Sequence, residues 1–544
     1  MQSLKNSIVG LHKRWSLLNS TANVINRRSY TTQQLTNGNI THTDNLNQCS
    51  NDYIRDKSGD LWELVVGVEI HAQTKTKEKL FSNSANIGSV DGLQANSRVS
   101  FTDAAFPGTL PILNQSCVEQ AIKTGISIGG EINPVSFFDR KHYFYQDLPL
   151  GYQITQYTDP IVRGGKMILT LNDGRQHTIR ISHIQLEQDS GKSIHDMHPT
   201  QSLVDLNRAG IGLMEIVSHA DFRSSEQVGL YIKKLQHLLK HVGSSDANMQ
   251  LGELRCDINI SVHKPNTPLG TRVELKNMIS PKAIMSSINA EAKRQIQLLE
   301  QGLPITRETR GFNQETGETF HMRTKEGEVD YRFFPEPDLP PLVINPTWIE
   351  TIRESLGEMP EDMKKRIISL YQLSDYEASL LIEDFRIALF FEKSIHHNTQ
   401  EPRLAKSILP WITRDIFSFI NDNNTSFDQI NLTIDQFTEF LDLIKTDYLS
   451  PRTGKEILSL ILKGDKRSPK AITDALGLSQ ISDDLVLDQL CQSVVLAHPK
   501  EVNEYRSGRD RVFKFFVGEI MKKTKGRSSP EKVNTFLRKY LDNK

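Results

Sequence analysis

A repeated period-two pattern runs through the first half of this chain, and only extended strands of a sheet with unlike faces accommodate it. In the segment from Glu63 to His71, Leu64, Val66, Val68 and Ile70 share one face, while Glu69 and His71 share the other. From Glu253 to Ser261, Leu254, Cys256, Ile258 and Ile260 oppose Arg255, Asp257, Asn259 and Ser261. Arg272, Glu274 and Lys276 alternate with Val273 and Leu275, and the segment from Ile184 to Asp189 ends with Glu187 and Asp189 on one side. A sheet whose wet face carries carboxylates, a histidine and interspersed Arg and Lys suits Mg²⁺ and a polyphosphate. An antiparallel sheet with one solvated face alternates in the same way, and periodicity alone leaves both readings open.

The 544 residues allow two or three domains, and 37% hydrophobic with 24% charged residues describe an ordinary soluble chain. No apolar run reaches transmembrane length. The formal charge of −1 conceals a segregation: residues 1–43 carry +5 with no acid, residues 500–544 carry +7, and the stretch between them carries −13. A basic tail on an acidic body predicts a polyanionic partner at the tail. The acid-free start, with Ile8, Val9, Leu11, Trp15, Leu17 and Leu18 among its cations, reads as a mitochondrial transit peptide over 1–30, against the alternative of a cytosolic extension. Residues 31–60 are polar and read as a linker. Cys49, Cys117, Cys256 and Cys491 are too scattered for a metal site or a disulfide framework.

The alternation predicts an α+β chain: a mainly antiparallel-sheet domain over 61–350, then an all-α half divided into 351–465 and a basic tail over 466–544. Helices are expected at Ser224–Val242 and Pro281–Gln301 within the sheet domain. In the second half they are expected at Met363–Leu373, Tyr376–Lys393, Ala405–Asn421, Ile434–Lys445, Gly454–Lys463, Asp484–Ala497, Val512–Met521 and Val533–Leu541. The proline-rich run from Asp330 to Pro341 reads as a stiff loop, able to hold Arg332 in place or simply to strap two domains together.

Familiar motifs are missing. Gly191-Lys192-Ser193 has Leu186 where a phosphate-binding loop needs glycine, Gly210-Ile211-Gly212 lacks a third dinucleotide glycine, and Gly243-Ser244-Ser245 is not an amidase serine pair. His71, beside Glu69 on a polar strand face, is the histidine nominated as a ligand. The cations Arg506, Arg509, Arg511, Lys522, Lys523, Lys525 and Arg527 sit around Gly/Ser turns, suiting either RNA phosphates or a solvated helix end.

Several segments then carry a resemblance: Val66 to Gln73, Asp139 to Tyr145, Gly151 to Tyr157, Ser202 to Arg208, Leu254 to Ser261, Glu274 to Asn277 and the loop from Asp330 to Pro341. Together they resemble the GatB family, the B subunits of aspartyl/glutamyl-tRNA amidotransferases, over nearly the whole length from Leu61 to Leu541. The resemblance implies a catalytic cradle that uses ATP and Mg²⁺ to phosphorylate the side-chain carboxylate of a mischarged glutamyl-tRNA(Gln). Ammonia released from glutamine by a separate glutaminase subunit then converts it to glutaminyl-tRNA(Gln). It further implies a heterotrimer with subunits A and C, a mitochondrial matrix location, and a helical tail that binds tRNA. Carried over by motif, Glu69, His71, Glu187, Glu215, Asp257 and Glu274 are the catalytic candidates, with Glu69, His71, Glu187 and Glu215 around the metal. Lys141, Arg255, Lys276, Arg323 and Arg332 are candidates for phosphate or acceptor-end contacts.

The chain departs from the family pattern at several positions. Gln188 replaces a second glutamate and would weaken a cation site it joined; Gly212 replaces a proline, and His219-Ala220 a Glu-Pro. His142 and Gln146 also differ, and Phe81-Ser82-Asn83-Ser84 lacks the cysteines of zinc-bearing relatives. The alternative these departures raise is a catalytically weakened tRNA-binding scaffold.

Overall fold

The computed structural model describes residues 53–542 except 57, 88–92, 196, 199, 325–329, 399–403, 424, 481–482 and 525. The expected transit peptide, most of the linker and Cys49 lie outside the described residues. Within the stretch read as linker, β1 (Tyr53–Arg55) pairs with the start of β2 (Leu61–Gln73).

The main path of the central sheet uses β2 with β3 (Asp139–His142), β4 (Tyr152–Thr155), β5 (Gln176–Gln188), β6 (Gly212–Ser218) and β7 (Leu254–His263). It is completed by β8 (Val273–Leu275), β9 (Glu308–Asn313), β10 (Glu318–Thr324) and β11 (Phe334–Pro335). Their order across the sheet is β10-β9-β8-β7-β2-β6-β5-β4-β3-β11. Every pair on this path is antiparallel except β8 with β9. The long strand β2 therefore lies between two segments distant in sequence, and its register with each decides which polar side chains meet.

The alternation supplies the reason for the layering. Val66, Val68 and Ile70 of β2 and Ile258 and Ile260 of β7 are at most 1% exposed and form one core with helices α1 (Gln115–Ser127), α2 (Ser225–His241) and α3 (Pro281–Glu300). Each such side chain, taken out of water, contributes about 2 kcal/mol. Helices α2 and α3 start where Ser224 and Ser280 accept hydrogen bonds from the amides of Gln227 and Ala283, with Pro281 opening the second. With its apolar face covered by helices, the sheet leaves its carboxylate face to line a cleft.

Beyond Pro346 the chain is helical among the described residues. One apolar core gathers residues from Met363 to Ile472 and another from Leu487 to Leu541, so the helix Pro469–Leu476 packs with the earlier group. The single helix expected over Tyr376–Lys393 is two, Asp375–Ile382 and Phe385–Asn398. Asp384 divides them, because its carboxylate accepts from the amide of Arg386 and competes with the helical ladder. The helix expected over Ala405–Asn421 contains a π-helical stretch, Trp411–Ile416, directly after Pro410, whose missing N–H disturbs the regular bonding. No helix among the described residues is long and apolar enough to cross a membrane.

Candidate active site

Register brings the site together. On β2, His71 lies opposite Glu215 of β6 on one side and Arg255 of β7 on the other, and Glu69 lies opposite Asp257. One strand further, Gln185 of β5 faces Glu215, and the same parity puts Glu187 on that face. His71 Nε2 is 3.7 Å from a carboxylate oxygen of each of Glu187 and Glu215, and the three donor atoms all lie within 4.8 Å of one another. Gln185 Nε2 donates to Glu215 at 2.6 Å and to Thr155 at 3.1 Å, which fixes the Glu215 carboxylate from behind.

Two cations close the cluster. Lys141 of β3 sits 3.5 Å from Glu187 and 5.4 Å above the Tyr331 ring. Lys276, one residue past β8, donates to Asp257 at 2.6 Å and lies 3.6 Å from Glu274. Glu274 in turn accepts from Thr309 Oγ1 at 2.8 Å. Glu69 stands one step along the sheet from the triad and accepts from Asn259 at 2.8 Å.

The electrostatics follow from burial against partners. Burial resists ionisation of Glu187, but Lys141 and His71 outweigh it and hold that carboxyl below its ordinary range. Burial and the charge of Glu187 push Glu215 upward. Burial disfavours charge on His71, yet Glu215 and Glu187 overcome it and raise its pKa. Burial likewise opposes charge on Lys141 and Lys276, and the neighbouring carboxylates reverse the effect, so both are firmly cationic.

The cleft over this face has a volume of about 690 Å³ and is lined by Glu69, His71, Lys141, Glu215, Asp257, Glu274, Lys276 and Arg323, among the residues nominated from sequence. A second hollow of about 590 Å³ shares His71, Lys141, Asp257 and Lys276 with it, and adds Glu187, Asp189 and Arg255. Arg255 points into this second space, donating to Asp189 at 2.7 Å, which holds the guanidinium strongly charged. Arg332 lines neither hollow. It is exposed, with left-handed φ of 47°, and its carbonyl bonds to His142 Nδ1 while its neighbours Tyr331 and Phe333 reach the cleft.

Gln188 corrects another expectation. Its parity is that of Leu186, so its side chain lies on the other face from Glu187, near the amide of Ile154 at 3.5 Å, and it does not join the His71–Glu187–Glu215 cluster. Gly212 lies where a Cβ would come within 2.8 Å of Thr74 Oγ1 and 3.0 Å of Cys117 Sγ. His219 is exposed and lines neither hollow. Sequence reasoning missed Arg307, Thr155, Tyr157, Tyr331 and Phe333 as cleft residues; Arg272 was visible on its alternating face but was not nominated.

Residues 64–350 match the family model of the GatB/GatE catalytic domain, and residues 389–541 match that of the GatB domain. The chain is 66% identical over 536 residues to the B subunit of the mitochondrial glutamyl-tRNA(Gln) amidotransferase of Dictyostelium discoideum, covering 96% of this chain and 99% of that one. It is 44% identical over 489 residues to the B subunit of the aspartyl/glutamyl-tRNA(Asn/Gln) amidotransferase of Rickettsia rickettsii, covering 90% and 99%. The corresponding protein of Acidiphilium cryptum is 43% identical over 490 residues, with the same coverage.

Proposed function

The chain belongs to the GatB family of tRNA amidotransferase B subunits, and on that footing we propose that its cleft phosphorylates and then amidates the glutamyl group of mischarged glutamyl-tRNA(Gln). A carboxylate is a poor acceptor for ammonia because its oxygen is a poor leaving group. In the first step a glutamyl oxygen bonds to the terminal phosphorus of ATP as the bond to ADP breaks. In the second, ammonia attacks the acyl carbon, the C–O bond to phosphate breaks, and a proton is lost to give the amide.

The observation that carries this reading is the convergence of His71, Glu187 and Glu215 under a rim of Lys141, Lys276, Arg272, Arg307 and Arg323. One imidazole nitrogen and two carboxylates form a donor set that suits a divalent cation, with Glu69 beside them. When bound there, Mg²⁺ would neutralise phosphate charge. Lys141 and Lys276 neutralise the transferring oxygens, and Asp257 and Glu274 keep Lys276 charged and aimed. Arg323 adds charge at the rim. Arg255 serves the second hollow, and Arg332 is a candidate for tRNA contacts outside the cleft.

Exposed Arg511, Lys514, Lys522 and Lys523 on the tail support contacts to the body of the tRNA. That the relatives are B subunits supports subunits A and C as partners. The protein is mitochondrial, and the acid-free leader fits import into the matrix. A weakened scaffold is disfavoured because Gln188, Gly212 and His219 all lie off the lining of the cleft.

The test is transamidation by the complex reconstituted with its A and C partners. With mischarged tRNA, ATP, Mg²⁺ and glutamine, the wild type should yield glutaminyl-tRNA. Glu187→Gln and Glu215→Gln should each lower turnover by about 100-fold or more, with tRNA affinity unchanged. Equal turnover in these variants would sink the assignment.

A further inference from the structure

Strand β3 uses its two faces for different tasks. Lys141 faces the cleft, 3.5 Å from Glu187, while the alternation turns Arg140 and His142 the other way. On that reverse face Arg140 grips Glu336 of the proline-rich loop through two hydrogen bonds of 2.7 Å, and it reaches Asp338 at 3.2 Å. Glu336 is buried, so this two-pronged contact is shielded from water. The guanidinium also lies 4.3 Å from the centre of the Tyr152 ring and 5.6 Å from that of Phe334, and the His142 ring stacks on Phe334 at 4.9 Å. Arg140, His142, Tyr152, Phe334, Glu336 and Asp338 all lie outside the lining of both hollows.

The fastening is felt in the cleft through the loop. Phe334 of β11 pairs with Arg140 of β3, and the amide of Glu336 donates to the carbonyl of Phe138 at 2.8 Å. The amide of His142 donates to the carbonyl of Tyr331 at 2.9 Å. Between these ties Arg332 has its left-handed φ of 47°, a conformation that a residue with a Cβ keeps only where its surroundings over-determine it. The ring next to this turn, Tyr331, stands over Lys141, with 5.4 Å from the ammonium to the ring centre. A lysine ammonium rides on a flexible four-carbon stem and does not aim itself. Glu187 at 3.5 Å is a long contact, and Tyr331 supplies a second side to the confinement.

We propose that Arg140 is a positioning residue for the phosphoryl transfer. Through Glu336 it fixes the proline-rich loop, the loop holds Tyr331 over Lys141, and Lys141 is thereby kept beside Glu187. The proposal rests on the reading of the cleft as the acyl-phosphorylation site, and it assigns a task to two residues, Arg140 and Glu336, that touch neither substrate nor metal. One strand of four residues then supplies both the cation that meets the phosphate and the anchor that aims it.

The experiment follows ATP turnover stimulated by glutamyl-tRNA in the reconstituted complex, at varied ATP and tRNA. Arg140→Lys keeps a cation but loses the two-pronged grip. It should lower kcat by about 10- to 100-fold and leave the KM for ATP unchanged. Glu336→Gln, which keeps the size of the side chain, should act in the same direction. Tyr331→Ala should lower kcat as well, and adding Arg140→Lys to it should cause no further loss, because both changes release the same ammonium. Full kcat in Arg140→Lys, or a rise in KM alone, would overturn the proposal. So would losses that multiply in the double variant, since Arg140 would then only brace the fold. The assignment of the cleft itself fails separately, by full turnover in Glu187→Gln.

Discussion

Lys79 is fully buried, and its ammonium is kept there by the Asp103 carboxylate at 3.1 Å and the carbonyl of Arg98 at 2.8 Å. Burial pulls its pKa down and Asp103 opposes the fall. Asp103 also accepts from Ser82 Oγ and from the amide of Ser100, so one carboxylate ties the segment from Arg98 to Asp103 to the loop from Lys79 to Ser82 that follows β2. Removing one partner of a buried pair leaves the other charge without compensation. Asp103→Asn should therefore destabilise the chain by about 3–5 kcal/mol, read from urea unfolding, and Lys79→Met in the same background should recover much of the loss. An unchanged midpoint in the single variant would refute this account. Lys79 was invisible in the sequence because its burial comes from a distant covering loop, whereas Glu69, His71, Asp257 and Glu274 declared themselves by parity within their own strands. The same parity separates Gln188 from Glu187 and keeps it out of the His71–Glu187–Glu215 cluster on the sequence pattern alone.

Strands carried the most legible signal, because period two fixes a face without knowledge of neighbours. What alternation cannot supply is pairing. Nothing local indicates that β2 lies between β6 and β7, yet that order is what brings Glu215 and Arg255 to either side of His71. Ile258 sits in this layer, fully buried one strand from Val68. Ile258→Ala should cost about 2–5 kcal/mol, and the loss should appear as an earlier urea midpoint with little change in slope. A change below roughly 0.5 kcal/mol would contradict its place in the core. Helices were harder to delimit where caps intervene. Asp384 breaks one expected helix, while Pro346–Ser355 and Pro469–Leu476 begin at capped prolines after Asn345 and Ser468, a start signal the apolar pattern alone did not reveal.

At the scale of the whole molecule, α2 joins the sheet domain to the helical half through its basic C-terminal turns. Lys234 Nζ donates to the carbonyl of Ile168 at 2.7 Å and reaches Glu361 at 2.5 Å. His241 shares its Nε2 with the carbonyl of Glu358 at 2.8 Å and meets the Phe385 ring edge to face at 5.2 Å. Glu358 is itself held by Arg366, which also grips Glu392. Burial lowers the pKa of both His241 and His237; the latter also feels Lys240 and Lys233 against Asp384, and the former is partly offset by Glu358. A histidine whose folded pKa is depressed resists protonation in the native state, while the unfolded chain still takes up protons near the ordinary value of 6.5. The stability it contributes is therefore complete above about pH 6.5 and is lost as pH falls toward the folded pKa, by at most about 1.4 kcal/mol per pH unit for each group. Urea unfolding of the full chain between pH 7.5 and 5.5, conditions chosen to bracket that value of about 6.5, should show stability falling with acid. A variant carrying His237→Gln and His241→Gln should have a shallower slope over the same range, because glutamine keeps a donor but cannot take a proton. Identical slopes in the two proteins would mean that the junction does not sense pH, and that the acid dependence arises at other half-buried groups such as His183.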